Sequence, residues 1–236
     1  MKEPISLVIL AHNEADIIEQ TVRDYYREVI SKIPGSEFII AEDGSTDGTK
    51  EILTGLQKEL PIRVILGDQR KGYTKAMLEG LSLAKNDVVF FSDSDGQHDP
   101  KDFWLMYPHI KKYDIVSGQK SHRKDGMLRV AVSYGMNGAL SLLFGKRLHD
   151  ANSGFKLIRR SVIAKLAKEK FVMKLASAEF MARAIGAGFR VTEVYVKHFE
   201  RKYGESRGIP TGKIPGLILE TMAGLVKVKT KLMARR

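Results

Sequence analysis

Val88, Val89, Phe90 and Phe91 form an uninterrupted apolar run that ends on Asp93-Ser94-Asp95. A short run without polar alternation predicts a strand buried on both faces, the kind found in parallel sheets that helices cover on each side. Such strands end in the open, at the edge where α/β sheets take their ligands. Two carboxylates one residue apart are costly to hold there unless a cation neutralises them. The pair is therefore either a solvated turn or a seat for a hard ion, Mg²⁺ or Mn²⁺, that keeps several waters and also grips phosphate oxygens.

The rest of the first half fits the same sheet. Strand signals over 5–11, 37–41, 63–66, 87–91 and 114–117 alternate with helix signals over 14–31, 47–60, 73–84 and 102–112. That alternation predicts an α/β fold with a mostly parallel sheet flanked by helices and joined by right-handed crossovers. After Gly118 the pattern changes. Residues 121–147 are basic, with apolar positions at helical spacing (Leu128, Val132, Met136, Leu140, Leu143, Phe144), and 155–158 and 190–196 read as further strands around a helix over 178–187. From Lys213 onward one amphipathic helix is expected, with Pro215 in its first turn and Lys227, Lys229, Lys231, Arg235 and Arg236 crowding its end. Three parts are expected: 1–120 and 121–212 as two halves of one domain spanning 1–212, and 213–236 as a basic helix.

Composition narrows the chemistry. A chain of 236 residues with 43% apolar residues can bury a core. It has no cysteine, which leaves no disulfides or thiolates and restricts metal ligands to oxygen and imidazole. The net charge of +11, concentrated in 111–129 and 197–236, favours nucleotide phosphates, nucleic acid or an anionic membrane as partners. A strand signal that begins at residue 5 leaves no room for a leader or an N-terminal span, and the weakly charged stretch 214–226 contains Glu220 and is shorter than the roughly 20 residues a span requires. A cytosolic or peripheral protein is expected.

Two more strands end on acids. Ala11-His12-Asn13-Glu14 closes the first, and Glu42-Asp43-Gly44-Ser45-Thr46-Asp47-Gly48-Thr49 joins the second to a helix that Asp47 or Ser45 can cap. With Asp93 and Asp95 they place three acidic edges on one crevice, or else form only capped turns. His98 either braces its loop or ligates an ion. Trp104 stacks on a ligand or belongs to the core.

These motifs, with Arg70-Lys71-Gly72-Tyr73 and Asp93-Ser94-Asp95-Gly96-Gln97-His98, resemble family 2 glycosyltransferases of the nucleotide-diphospho-sugar (GT-A) fold in order and spacing. The second half resembles the polyprenyl-phosphate (dolichyl-phosphate) sugar synthases of that family. Ser117-Gly118-Gln119-Lys120, Arg123, Arg129, the run from Asp150 to Lys156, Glu179 and the run from His198 to Arg207 stand where that branch carries its acceptor and phosphate residues. Two positions depart from the pattern: Lys120 where Arg is usual, which gives up a bidentate phosphate fork, and His12 where Tyr is usual.

The resemblance implies a metal-dependent, inverting transferase that moves a hexose, with GDP-mannose favoured as donor, to a polyprenyl phosphate at the cytosolic membrane face. It implies that Ala11, Asn13, Glu14, Asp43, Lys71, Asp93, Ser94 and Asp95 bind the nucleotide sugar. Asp93, Asp95 and Gln97 surround the Mg²⁺ or Mn²⁺ ion. Asp95, Arg201 and Asp150 serve catalysis, and Lys120, Arg123, Arg129, Ser133 and Arg207 hold the acceptor phosphate. Lys71 and Arg201 are alternatively solvated cations, and Asp150 alternatively braces the Asn-Ser-Gly turn.

The acceptor class also follows from chemistry. A hydroxyl acceptor wants a general base, whereas a phosphate monoester is already largely ionised at neutral pH and wants cations instead. Relatives that glycosylate hydroxyls carry a Glu-Asp pair just before the helix that begins near Glu179; here Leu175-Ala176-Ser177-Ala178 fills that space. Arg123, Lys124, Arg129, Arg201, Lys202 and Arg207 supply the cations. Transfer to a saccharide or glycolipid hydroxyl from a UDP-sugar is the second reading. A nucleic-acid-binding module is a remote third, because acidic motifs line the best cleft and no recognition-helix or aromatic-sheet signature is present. Finally, Ile214, Leu217, Ile218, Met222, Leu225, Val228, Leu232 and Met233 recur at three- and four-residue steps, the pattern of an interfacial membrane helix or of a face packed on the domain or on a second subunit, and a lipid acceptor implies either this surface anchor or a membrane-protein partner.

Overall fold

The structure, a computed structural model, describes residues 2–121, 127–201 and 214–234, and the side chains at 127–132, 214, 215 and 217 lie outside that description. Seven strands form one sheet in the order β3-β2-β1-β4-β6-β5-β7: β1 (Ile5–Ala11), β2 (Glu37–Glu42), β3 (Arg63–Ile65), β4 (Val88–Asp93), β5 (Ile115–Lys120), β6 (Phe155–Arg159) and β7 (Val191–Val196). β1 lies parallel to β2 and β4, β2 to β3, and β5 to β7, as the apolar runs require. β6 is the exception. It inserts between β4 and β5 and runs antiparallel to both.

Alternate strand residues feed two cores. Ile5, Leu7, Ile9, Ile40, Phe90 and Val116 face α1 (Ile18–Glu28), α2 (Thr49–Glu59) and the short α4 (Phe103–Met106). Val8, Leu10, Ile39, Phe91 and Ile115 face α3 (Tyr73–Ser82), α5 (Met127–Phe144), α6 (Arg160–Leu166), α7 (Ala176–Gly186) and α8 (Ile214–Met233). Trp104 belongs to the first core, with its indole N–H donating to the Glu28 carbonyl at 3.0 Å.

Several elements differ from expectation for local reasons. The helix expected from Glu14 starts at Ile18, because Asn13 adopts φ 52° and the Ala15 amide donates to Asp47 Oδ2 at 3.1 Å, outside any helix. The helix expected over 102–112 breaks into α4 and a tight 3₁₀ stretch, Tyr107–Lys111, where Pro108 lacks a donor. β4 runs on through Asp93, which places the carboxylate at the strand's last position. α6 was not anticipated.

Candidate active site

The antiparallel sense of β6 positions the site. Because it runs against its neighbours, its leading loop arrives at the edge where β1, β2, β4, β5 and β7 end. Ser92 pairs with Phe155, so residues 150–154 lie beside Asp93. The Asp93 amide donates to the Gly154 carbonyl at 3.1 Å. A Cβ on Gly154 would sit 1.8 Å from Asp93 Oδ2, so the absence of a side chain there is what seats the carboxylate.

Asp93 Oδ1 accepts from the Tyr73 hydroxyl at 3.1 Å, and Asp95 Oδ1 accepts from the Gln97 amide at 3.1 Å. Burial, and then the Asp95 charge, push the Asp93 carboxyl up to about 7, while Tyr73, Lys120 and Lys156 pull it down. A carboxyl strained in that way gains from a divalent ion at the same place. Asp93 and Asp95 together offer hard oxygen donors of the type Mg²⁺ or Mn²⁺ takes. Gln97 stands next to them with its Nε2 donating to the Phe199 carbonyl at 3.0 Å. Among the described residues no three His, Asp or Glu side chains form a group that could hold a metal ion by themselves.

The residues expected at the nucleoside are together, but several are engaged with backbone. Asp43 accepts from the amides of Lys71 and Gly72 at 2.7 and 2.9 Å, which moulds the Arg70-Lys71-Gly72 loop over the edge. Glu42 accepts from the Ser45 and Gly67 amides and is buried. Asn13 Oδ1 accepts from the Thr46 amide at 2.8 Å, and the Asn13 amide donates to Ser45 Oγ at 2.8 Å. Asp47 takes the Thr49 amide at the start of α2. The Ala11 carbonyl accepts from the Asp43 amide, and Ser94 is buried with its carbonyl on Thr21 Oγ1. Lys71 points its ammonium to Glu79 at 2.8 Å. Arg201 spans the cleft to Glu14, with Nη2 2.6 Å from both carboxylate oxygens, so a cation expected in catalysis and an acid expected in nucleotide-sugar binding neutralise each other here.

Of the residues expected to hold the acceptor phosphate, Lys120 closes β5, and its charge reaches Asp93, His98 and Lys156. Ser133 lies one turn before Asn137, which holds the Ala151 amide and the His149 carbonyl. Asp150 is buried at 3% exposure; its amide donates to Glu193 at 2.7 Å and its carboxylate faces the Lys120 amide at 3.4 Å. Arg123, Lys124, Lys202 and Arg207 lie outside the described residues, as does the Arg129 side chain. Glu179 is not at the cleft. It is fully buried, ion-paired to Arg183 at 2.6 Å, with the Val172 and Met173 amides on its other oxygen. His98 is a buried brace, stacked on Phe155 at 4.7 Å and edge-on to His198 at 5.4 Å, and burial drives its pKa well down.

The sequence pattern includes Tyr73 and Lys156 only as members of motif runs, with no role of their own, and does not single out Glu193. Tyr73 follows a glycine of the motif loop and was open to notice. Lys156 and Glu193 act through strand pairing, which sequence alone does not display.

A model of glycosyl transferase family 2 matches residues 6–167. The chain belongs to that family. A dodecaprenyl-phosphate galacturonate synthase of Rhizobium johnstonii is 29% identical over 211 residues, covering 86% of this chain and 61% of the relative. An undecaprenyl-phosphate 4-deoxy-4-formamido-L-arabinose transferase of Edwardsiella ictaluri is 29% identical over 208 residues, covering 86% and 62%. The chain thus spans a little over three fifths of the length of these relatives. Among solved structures, glucosyl-3-phosphoglycerate synthase from Mycobacterium tuberculosis with phosphoglyceric acid superposes with TM-score 0.74 at 20% identity, over 97% of this chain and 80% of that one. The same enzyme with Mg²⁺ and uridine diphosphate gives 0.72 at 19% identity, with the same coverage. Likeness at that identity concerns the fold alone, which is that of the GT-A glycosyltransferases.

Proposed function

We propose that this family 2 chain transfers a sugar, with inversion, from a nucleoside diphosphate to a polyprenyl phosphate. The observation that carries the acceptor class is the withdrawal of Glu179 into the core, where Arg183 consumes it. The helix that would supply a base for a hydroxyl acceptor offers no free carboxylate to the cleft, and an already ionised phosphate needs none. The names of the relatives supply independent support for a prenyl phosphate. Mannose and a guanine carrier rest on the sequence resemblance alone, because those names carry galacturonate and a formamido-arabinose.

In this reading Asp93 and Asp95 hold Mg²⁺ or Mn²⁺, with Gln97 beside them. When bound, the ion takes up charge on the departing diphosphate. Asp43 and Asn13 keep the loops around the nucleoside in shape through the amides they accept. Arg201 exchanges Glu14 for a diphosphate oxygen as the donor enters. Lys120, with Arg123, Arg129 and Arg207, draws the acceptor phosphate to the far side of the sugar, and Asp150 fixes the loop beneath it.

The same reading places the domain on a membrane surface. α8 divides its apolar residues between two stripes. Leu225, Val228 and part of Leu232 pack on the domain, as one of the two sequence readings expected, while Ile218, Leu219, Met222, Val226 and Met233 stay exposed, Leu219 at 73%. At 100° per residue the exposed set falls within an arc of about 100°. Lys227 and Lys231 both lie beyond one edge of that arc, about 80° and 120° further round the helix, so cations border the apolar face on one side. Among the described residues no helix is long and apolar enough to cross a membrane.

The test is transfer from a panel of nucleotide sugars to undecaprenyl phosphate with Mn²⁺, resolved into organic and aqueous products. An organic-phase product that chelator abolishes supports the proposal. Product formed only on saccharide hydroxyls refutes it.

A further inference from the structure

Lys156 is the second residue of β6 and lies inside the protein, 2% exposed. Its ammonium donates to the Ser153 carbonyl and, at 2.7 Å, to Ser177 Oγ, which in turn donates to the same carbonyl at 2.8 Å. Both partners are neutral. An ammonium buried among neutral partners is expensive to keep charged, so compensation must come from charges further off. Asp150, Asp93 and Glu193 favour its charged form, Lys120 opposes it, and burial leaves its pKa at about 8.

Register fixes where this charge sits. Lys156 pairs with Phe91 of β4 on one side and Ser117 of β5 on the other, one residue inside the Ser92–Phe155 pair at the sheet edge. Ser117 pairs in turn with Glu193 of β7, so a lysine, a serine and a glutamate form one row across the sheet on the α7 side. The carbonyl that Lys156 holds belongs to Ser153, and the next residue, Gly154, receives the Asp93 amide and makes room for its carboxylate. The ammonium thus supports the acidic edge from beneath, both through the loop and through its field.

We propose that Lys156 is a buried counter-charge under the Asp93–Asp95 edge, a positioning residue that holds back a divalent ion arriving alone and favours a diphosphate. This rests on the reading that ion and diphosphate meet at that edge. An acidic edge without interior compensation would bind the ion tightly and repel the donor. With the buried cation, the free edge is closer to neutral and the diphosphate can approach it.

The full chain is titrated with Mn²⁺ alone, followed by the spin resonance of the free ion, and with pyrophosphate alone, followed by calorimetry. Lys156→Gln removes the charge but keeps donors for Ser153 and Ser177; Lys156→Met removes both. A unit charge acting on a doubly charged ion about 10 Å away, through an effective dielectric near 40, changes affinity roughly ten-fold. Both neutral variants are expected to bind Mn²⁺ about ten-fold more tightly and pyrophosphate about ten-fold more weakly, with Lys156→Arg close to wild type. A residue that only packs would weaken both together. Joint weakening, or no change in variants that melt like wild type, overturns the proposal. If neither neutral variant folds, Glu193→Gln, which removes a negative charge facing Lys156, must shift the two affinities the opposite way, and no shift overturns the proposal equally. Wild-type protein that binds neither probe would defeat the reading of the edge itself.

Discussion

Replacing Glu179 by Ala separates a structural carboxylate from a catalytic one. Glu179 Oε1 accepts from Arg183 Nε and Nη2 at 2.8 and 2.6 Å, and Oε2 accepts from the Val172 and Met173 amides at 2.8 and 2.6 Å. Removing it leaves Arg183, 1% exposed, with the Lys170 carbonyl at 3.1 Å and Glu169 at 3.3 Å. Breaking one side of a buried ion pair costs about 3–5 kcal/mol. The two orphaned amides add about 1 kcal/mol or more. For a chain of this length each kcal/mol lowers the midpoint by roughly 2–4 °C, so calorimetry should record a fall on the order of 10–20 °C. Transfer to prenyl phosphate, assayed well below that midpoint, should stay within about three-fold of wild type, because transition-state stabilisation is untouched. A hundred-fold loss of turnover with an unchanged Tm would refute the reasoning and restore a hydroxyl acceptor with Glu179 as its base.

Other outcomes follow from the same geometry. Asp93 is raised from 3.8 to about 7, so the folded, ion-free protein keeps a proton that the unfolded chain loses between about pH 4 and 7, and stability falls as pH rises through that window. Asp93→Asn should therefore stabilise the ion-free protein at pH 8 by on the order of 2 kcal/mol, a rise in Tm of roughly 4–8 °C, while abolishing Mn²⁺ binding; a lower Tm at pH 8 would contradict this. Gly154→Ala places a methyl 1.8 Å from Asp93 Oδ2, and a Mn²⁺ titration should show at least about ten-fold weaker binding for a stability cost of roughly 1–3 kcal/mol. On α8, Leu219→Glu with Met222→Glu should remove flotation on anionic vesicles at an unchanged Tm, whereas Leu225→Ala, in the buried stripe, should cost about 2–4 kcal/mol in denaturant unfolding. Equal flotation of the double variant would place the contact surface elsewhere.

The strands that end on Ala11, Glu42 and Asp93 were legible because buried parallel strands are written as unbroken apolar runs and their acidic ends stand out. What sequence left hidden was mostly non-local. The insertion of β6 between β4 and β5 depends on partners up to about 70 residues away in the chain, and its antiparallel sense is what brings Gly154 to Asp93. The Glu14–Arg201 pair joins positions 187 apart. α6 escaped notice because it is seven residues long and its N-cap residue, Arg159, makes no side-chain cap hydrogen bond. Glu179 was read from the sequence as an acceptor-side acid; its pairing with Arg183, four residues on along α7, shows only once the helix is seen to bury that face.

The central claim is that the Asp93–Asp95 edge is where an ion meets the donor diphosphate. Crystals of the full chain grown with Mn²⁺ and a nucleoside diphosphate, measured at the manganese absorption edge, test it in one map. The expected result is a single anomalous peak within coordination distance of an Asp93 or Asp95 carboxylate and of two phosphate oxygens. A diphosphate bound at this edge with the peak elsewhere, or with no peak, would contradict it.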